Sequence, residues 1–209
     1  FGTPQAANAV EQAAAAGAQA LTYAPRTESG QDQAAAVGHL MQQALPIMPL
    51  TAELSARLAE LQDYEKKLDS ARRWMKEWHF RIGVHHLRGL IDSFEAGKQY
   101  ADLAEAVIAA LWPVVLADFS AKHGTPPGVG AVVLGMGSLG AGRLNASSDL
   151  DLIMIYDAGG VETSEGPRPL AARAYYARLT QAMVTALSAQ MAEGRLYEVD
   201  VRLRPSGRK

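Results

Sequence analysis

Residues 135–140, Gly135-Met136-Gly137-Ser138-Leu139-Gly140, and residues 147–153, Ser147-Ser148-Asp149-Leu150-Asp151-Leu152-Ile153, decide the fold. Residues 129–134 before them form a short, β-branched apolar run that reads as a buried strand. Gly135 and Gly137 then permit positive φ and close backbone approach, so that successive N–H groups can converge on an anion, and Ser138 is placed to cap a short helix. Asn145, Ser147 and Ser148 close that helix in a polar turn. Residues 149–156 read as a second strand, with Asp149 and Asp151 on one face, about 7 Å apart, and Leu150 and Leu152 on the other. Two like charges on one face of an apolar strand repel each other unless a cation lies between them. Magnesium, which binds through one or two carboxylates plus substrate phosphates, is the matching ion.

Residues 196–205, LYEVDVRLRP, repeat the alternation. Val199, Val201 and Leu203 fall on one side, and Asp200, Arg202 and Arg204 on the other. A third carboxylate and two guanidinium groups on one face suit joint handling of metal and polyphosphate, because arginine grips phosphate oxygens bidentately. The plain alternative for this strand alone is a half-exposed segment with a charged outer face.

A Gly-Ser turn, an Asp-x-Asp strand and a later strand with a third acid resemble the nucleotidyltransferase superfamily typified by DNA polymerase β. More narrowly, GMGSLGAGRLNASSDLDLIMIYD with GRLYEVDVRLRPSG resembles a catalytic module of the glutamine synthetase adenylyltransferase/adenylyl-removing family, over roughly residues 60–209. Ser-Gly after the proline is more similar to the adenylylating carboxy-terminal half than to the removing half. The family usually carries lysine where this chain has Ser138, which removes any phosphate role of that lysine here. The resemblance implies an α+β fold: a helical amino-terminal region followed by a small mixed sheet flanked by helices. It also implies transfer of AMP from ATP to a tyrosine of glutamine synthetase, restraining that enzyme when nitrogen is plentiful. Asp149, Asp151 and Asp200 would hold two Mg2+ ions, with Mn2+ as a substitute. Gly137, Ser138, Arg202 and Arg204 would bind the nucleotide. Glutamine and the PII signalling protein would regulate the full-length enzyme in the cytoplasm.

Composition agrees. A 209-residue chain with 48% hydrophobic residues can fill a core. Net charge −2 gives no field that gathers nucleic acid. The absence of cysteine leaves no disulfide framework or thiolate metal site and fits a reducing compartment. No apolar run reads as a membrane span, and the first residues do not resemble a signal peptide. The start at Phe1 and the end at Lys209, just after Arg-Pro-Ser-Gly, read as a piece of something longer, with the catalytic core truncated.

Three regions follow. Residues 1–50 are Ala-rich and poorly readable, with a loop-like stretch, YAPRTESGQDQ, between alanine blocks. Residues 51–124 are helical: Pro46, Pro49 and Thr51 mark a turn and cap, Leu54, Leu58 and Leu61 recur at helical spacing, and a charged helix runs over 63–90. Asp92-Ser93-Phe94-Glu95 then reads as a capping box opening a helix with Leu103, Val107, Leu111 and Val115 inward, bent at Pro113 and ending near His123 and Gly124. Residues 125–209 are the nucleotidyltransferase core, including a helix over 170–191 with Leu179, Met183 and Leu187 buried.

Other features read as structure. His85 and His86 point about 100° apart on a helix and form no metal pair. Trp74 and Trp78 pack a helix interface. Glu65, Lys66, Lys67, Arg72 and Arg73 form a solvated face, and Glu198 shares the face of Asp200. The main competitor is a dinucleotide-binding oxidoreductase, since Gly135-x-Gly137-x-x-Gly140 satisfies the Rossmann fingerprint and Asp157 stands near the ribose-binding position. About eight residues between Gly140 and the next strand are too few for a crossover helix, and hydride transfer needs no paired acids. A non-catalytic helical interaction module with a degenerate transferase domain is the third possibility; the presence of all three acids speaks against it.

Overall fold

The computed structural model describes residues 50–205, the last five through their backbone alone. The expectations for residues 1–49, including the Ala-rich blocks and the turn at Pro46 and Pro49, lie outside them. Three helices come first: α1 (Leu50–Ala59), α2 (Tyr64–Leu87) and α3 (Ser93–His123). Strand β1 (Gly130–Gly135), the single-turn helix α4 (Gly137–Gly140), strand β2 (Leu150–Asp157), helix α5 (Ala172–Ser188) and strand β3 (Val199–Pro205) follow. The architecture is α+β, a helical layer against a small mixed sheet.

The caps show why the helices begin where they do. The Asp63 carboxylate accepts from the Lys66 N–H and that of Asp92 from the Glu95 N–H, each meeting one of the donors that a helix start leaves unsatisfied. Gly124 ends α3 at φ 84°, beyond the reach of most side-chain-bearing residues. Thr51 is not a cap: α1 already begins at Leu50. Leu54 and Leu58 are buried in α1, while Leu61 falls beyond its end.

Leu103, Val107, Leu111 and Val115 of α3 are all buried, as are Leu179, Met183 and Leu187 of α5, so the 3.6-residue period placed both stripes correctly. Pro113 lies within α3, which continues past it to His123. By length and composition α3 could cross a membrane, which corrects the expectation that no segment reaches that size. Its apolar residues are spread over 31 positions rather than gathered in one run, and its buried side packs against α1, α2 and α5 as the central core helix.

The sheet order is β1-β2-β3, with β1 antiparallel and β3 parallel to β2. Leu150, Leu152, Met154 and Tyr156 form the inner face of β2. Tyr156 stacks on Tyr176 of α5 at 4.3 Å, and the Thr180 hydroxyl donates to the Met154 sulfur at 3.0 Å. One continuous apolar cluster joins Leu150, Leu152, Tyr156 and Tyr176 to the helices. The opposite face of β2 carries Asp151, Ile153 and Ile155, and beside it β1 presents exposed Val132 and Leu134.

Burial of the tyrosines fixes the response to alkali. Burial, followed by the neighbouring Tyr175, Asp157 and Tyr156, pushes Tyr176 up to about 12. Burial also raises Tyr175, Tyr100 and Tyr197. A phenol raised in the fold contributes stability that is complete below the unfolded value near 10 and is lost as pH climbs toward the folded value. For Tyr176 alone this is about 2–3 kcal/mol between pH 10 and 12. The melting temperature is therefore expected to hold from pH 7 to 9 and fall steeply above 10; a flat profile to pH 11 by circular dichroism would contradict the burial assigned here.

Candidate nucleotidyl-transfer site

The turn from β1 into α4 is built on glycine for steric reasons. Gly137 sits at φ 53°, and a Cβ there would run into the Asp151 carboxylate. A Cβ on Gly140 would lie 2.7 Å from the Gly135 carbonyl oxygen. Gly135 itself stays out of the left-handed region, contrary to the sequence expectation, and meets the Leu139 side chain instead. The Met136 N–H donates to the Asp151 carbonyl at 2.8 Å and locks the turn to β2. Met136, not Ser138, is the N-cap residue of α4; Ser138 is an exposed second residue of that turn, because the helix starts two residues earlier than a cap by its hydroxyl required.

Asp149 is exposed and immediately precedes β2, whereas Asp151 is half-buried as the strand's second residue. The loop delivering them is ordered by its own polar groups. The Asn145 carboxamide accepts from the Ser147 N–H and hydroxyl, and the Ser148 hydroxyl accepts from the Asn145 N–H. The Asn-Ala-Ser-Ser turn over 145–148 is thus a separate device, not the end of α4. Parallel pairing sets Asp200 directly opposite Asp151, and the Glu198 carbonyl accepts from the Leu150 N–H at 2.9 Å just ahead of them. Asp200 is exposed. Arg202 and Arg204 occupy the β3 positions opposite Ile153 and Ile155, further along the strand than the carboxylates.

The register thus brings Asp151 beside Asp200, with Gly137 against Asp151 and Asp149 two residues upstream. Among the described residues no three His, Asp or Glu side chains are gathered into one metal-ligating group. Nor does any of the three aspartates hold a hydrogen-bond or ion-pair partner there through its carboxylate. Hard oxygen donors beside a glycine turn fit a divalent cation such as magnesium. Glu198 is engaged elsewhere, in an ion pair with Arg195. It lines a cleft of about 440 Å³ of mixed polar and apolar lining, which Lys76, His79, Tyr100, Leu144, Arg195 and Leu196 also border.

Trp74 and Trp78 do pack together, with centroids 6.1 Å apart and Trp74 fully buried. His85 is buried, and the His86 ring meets the Ser93 hydroxyl at 3.0 Å. Arg72 corrects the reading of a solvated face, since none of it is exposed. It lies four residues after buried Leu68 and three before buried Met75, and that spacing was the available signal.

Antiparallel β1 and β2 joined through a four-residue helix exclude the dinucleotide-binding alternative, whose fingerprint turn leads into a crossover helix and a parallel strand. A short helix between antiparallel strands, followed by a parallel strand reached through α5, is an α+β arrangement of the nucleotidyltransferase type. The family model described as glutamate-ammonia ligase adenylyltransferase matches residues 12–209, and the chain belongs to that family. It is 48% identical over 161 residues to a bifunctional glutamine synthetase adenylyltransferase/adenylyl-removing enzyme of Mesorhizobium japonicum, covering 77% of this chain and 16% of that protein. Proteins bearing the same name in Xanthobacter autotrophicus (47% over 168 residues, 78% of this chain and 17% of the relative) and Brucella suis (45% over 161 residues, 77% and 16%) are similar to it as well. The chain spans about one sixth of the length of these curated relatives.

Proposed function

We propose that this chain is the catalytic part of a protein adenylyltransferase that moves AMP from ATP to a tyrosine of glutamine synthetase. The observation that carries this is the pairing of Asp151 with Asp200 beside the Gly137 turn. In this reading residues 51–124 are a supporting helical region and residues 125–209 the catalytic core. The parent protein is cytoplasmic and answers to glutamine and the PII signalling protein.

Two magnesium ions held by Asp149, Asp151 and Asp200 would supply charge neutralisation on the triphosphate and a lowered pKa for the acceptor hydroxyl. The residues themselves have separate tasks. Backbone N–H groups at Gly137 and the Ser138 hydroxyl hold the departing phosphates. Asp200 accepts the acceptor's proton as the phenolic oxygen bonds to the α-phosphorus and the bond to the bridging oxygen breaks, releasing pyrophosphate. Arg202 and Arg204 oppose the charge that develops on the phosphates. The forward direction is read from the similarity of LYEVDVRLRPSG to the adenylylating half; the removing reaction would run at the same carboxylates with phosphate as the acceptor.

Incubating the parent protein with ATP, magnesium and glutamine synthetase should add one AMP per modified subunit, read by intact mass. Unmodified synthetase in the presence of folded enzyme would reject the assignment. Loss of AMP from pre-adenylylated synthetase, with no addition, would assign the chain to the removing half. ATP binding should also weaken at least tenfold when EDTA replaces magnesium in a calorimetric titration, because repulsion between carboxylates and triphosphate is then unrelieved. Equal ATP affinity in both buffers would remove the metal from this scheme.

A further inference from the structure

We propose that Arg72 is a positioning residue for Asp200: from α2 it holds the turn between α5 and β3, and so sets the register that brings Asp200 opposite Asp151. The inference rests on the carboxylate site proposed above. Arg72 is fully buried yet spends its donors on main chain more than a hundred residues away. Its Nη2 donates to the Ala186 and Ala189 carbonyls at 3.0 and 3.1 Å, and its Nε to the Gly194 carbonyl at 2.8 Å. These carbonyls belong to the last turn of α5 and to the connection that follows it. A rigid planar fork is suited to holding such divergent acceptors, and a cation at a helix C-terminus is favoured by the helix dipole.

The neighbouring residues of α2 act on the same connection. Arg73 pairs with the Glu193 carboxylate at 3.0 Å, and Lys76 donates to the Glu193 carbonyl. Met191 and Gly194 exchange main-chain hydrogen bonds that pinch the turn, and Gly194 sits at φ 82° with Lys76 packed where a side chain would go. Beyond it, the Leu196 and Tyr197 N–H groups both donate to the Leu187 carbonyl, and the Glu198 carbonyl accepts from Leu150. Every segment from α5 to the start of β3 is therefore fixed at a stated point. Arg72 makes the longest-range of these attachments, and only five residues separate Gly194 from Asp200.

The same helical layer holds the other carboxylate loop. His79 of α2 meets the Ala146 carbonyl through Nε2 at 3.0 Å, the Gly97 carbonyl accepts from the Leu144 N–H, and Arg143 lies over the Phe94 ring at 4.1 Å. Both segments that deliver carboxylates are thus tethered to α2, and the loop over 143–146 to α3 as well. A role confined to stability would lower the melting point and leave the metal site of the folded molecules unchanged. A positioning role changes that site in molecules that remain folded.

The test uses the whole protein with Arg72→Met, which keeps an extended side chain and removes every donor, and Arg72→Lys, which keeps one cationic donor group without the fork. Free Mn2+ is read by electron paramagnetic resonance, and amide exchange of β3 is compared with that of β1 in metal-free protein. Folded Arg72→Met should exchange β3 amides at least tenfold faster with β1 little changed, and bind Mn2+ roughly five- to twentyfold more weakly, with Arg72→Lys intermediate. Wild-type β3 exchange and Mn2+ affinity in folded Arg72→Met would overturn the proposal. If Arg72→Met does not fold, the exposed pair Arg73→Gln/Lys76→Met is read instead: a two- to fivefold change in the same direction supports the clamp, and no change in either measurement overturns it. Wild-type protein whose Mn2+ binding is absent, or insensitive to Asp151→Asn, would count against the carboxylate site, while β3 exchange would still decide the role of Arg72.

Discussion

Replacing Asp151 by asparagine is expected to lower AMP transfer by at least two orders of magnitude while the melting temperature holds or rises slightly. Asparagine keeps the shape of the side chain and the Met136 N–H bond to the residue 151 carbonyl, so the turn and β2 register persist. What disappears is one negative charge from a half-buried position that has no cationic partner among the described residues. Charge at a metal ligand is worth about 100-fold or more in transfer rate, and easing repulsion among acids costs the fold nothing. Asp157 supplies the comparison. It lies at the far end of β2, about 20 Å along the strand, and its Oδ1 accepts from the Gly159 N–H. Asp157→Asn should stay within about threefold of wild type, since the proposed metal site lies at the first end of the strand. Intact-mass analysis of glutamine synthetase measures both variants, and near-normal transfer by folded Asp151→Asn would remove Asp151 from the metal site.

Local periodicity carried most of the fold into view. The alternation of Leu150, Leu152, Met154 and Tyr156 with Asp151, Ile153 and Ile155 gives both faces of β2, and the stripes of α3 and α5 emerge from helical spacing in the same way. Asp92 and Gly124 mark the ends of α3 because capping is set by short-range hydrogen bonds and φ. Features that depend on contacts distant in sequence were less visible. The start of α4 at Gly137 is fixed by the bond from Met136 to Asp151, fifteen residues on, so Ser138 looked like a cap and is not one. Arg72 looked solvated beside Arg73, yet its partners at Ala186, Ala189 and Gly194 become neighbours only when α2 packs across the turn after α5. A charged side chain on a buried stripe is the one local sign of such a long-range bond. The candidate carboxylates were singled out by chemistry, and the pairing of Asp151 with Asp200 needed the parallel register, which no local pattern encodes.

Gly137→Ala should lower transfer by roughly 100-fold at a stability loss of only about 1–2 kcal/mol, because strain and collision fall on different parts of the molecule. The backbone at φ 53° costs an L-residue about 1–2 kcal/mol, which sets the change in melting temperature. The added methyl meets not main chain but the end of the Asp151 side chain, which can rotate aside. That rotation is cheap for folding and damaging for catalysis, since a carboxylate displaced by about an ångström no longer holds its share of a metal against a triphosphate. Gly142 separates the two effects. It has φ 67° and open space where a Cβ would stand, so Gly142→Ala carries the strain without the collision. The two alanine variants should therefore melt within a few degrees of each other. Their Mn2+ affinities and AMP-transfer rates should differ by at least tenfold, with Gly142→Ala close to wild type. Equal activities in the two variants would mean that Gly137 serves the backbone alone and that the space it leaves beside Asp151 has no part in the reaction.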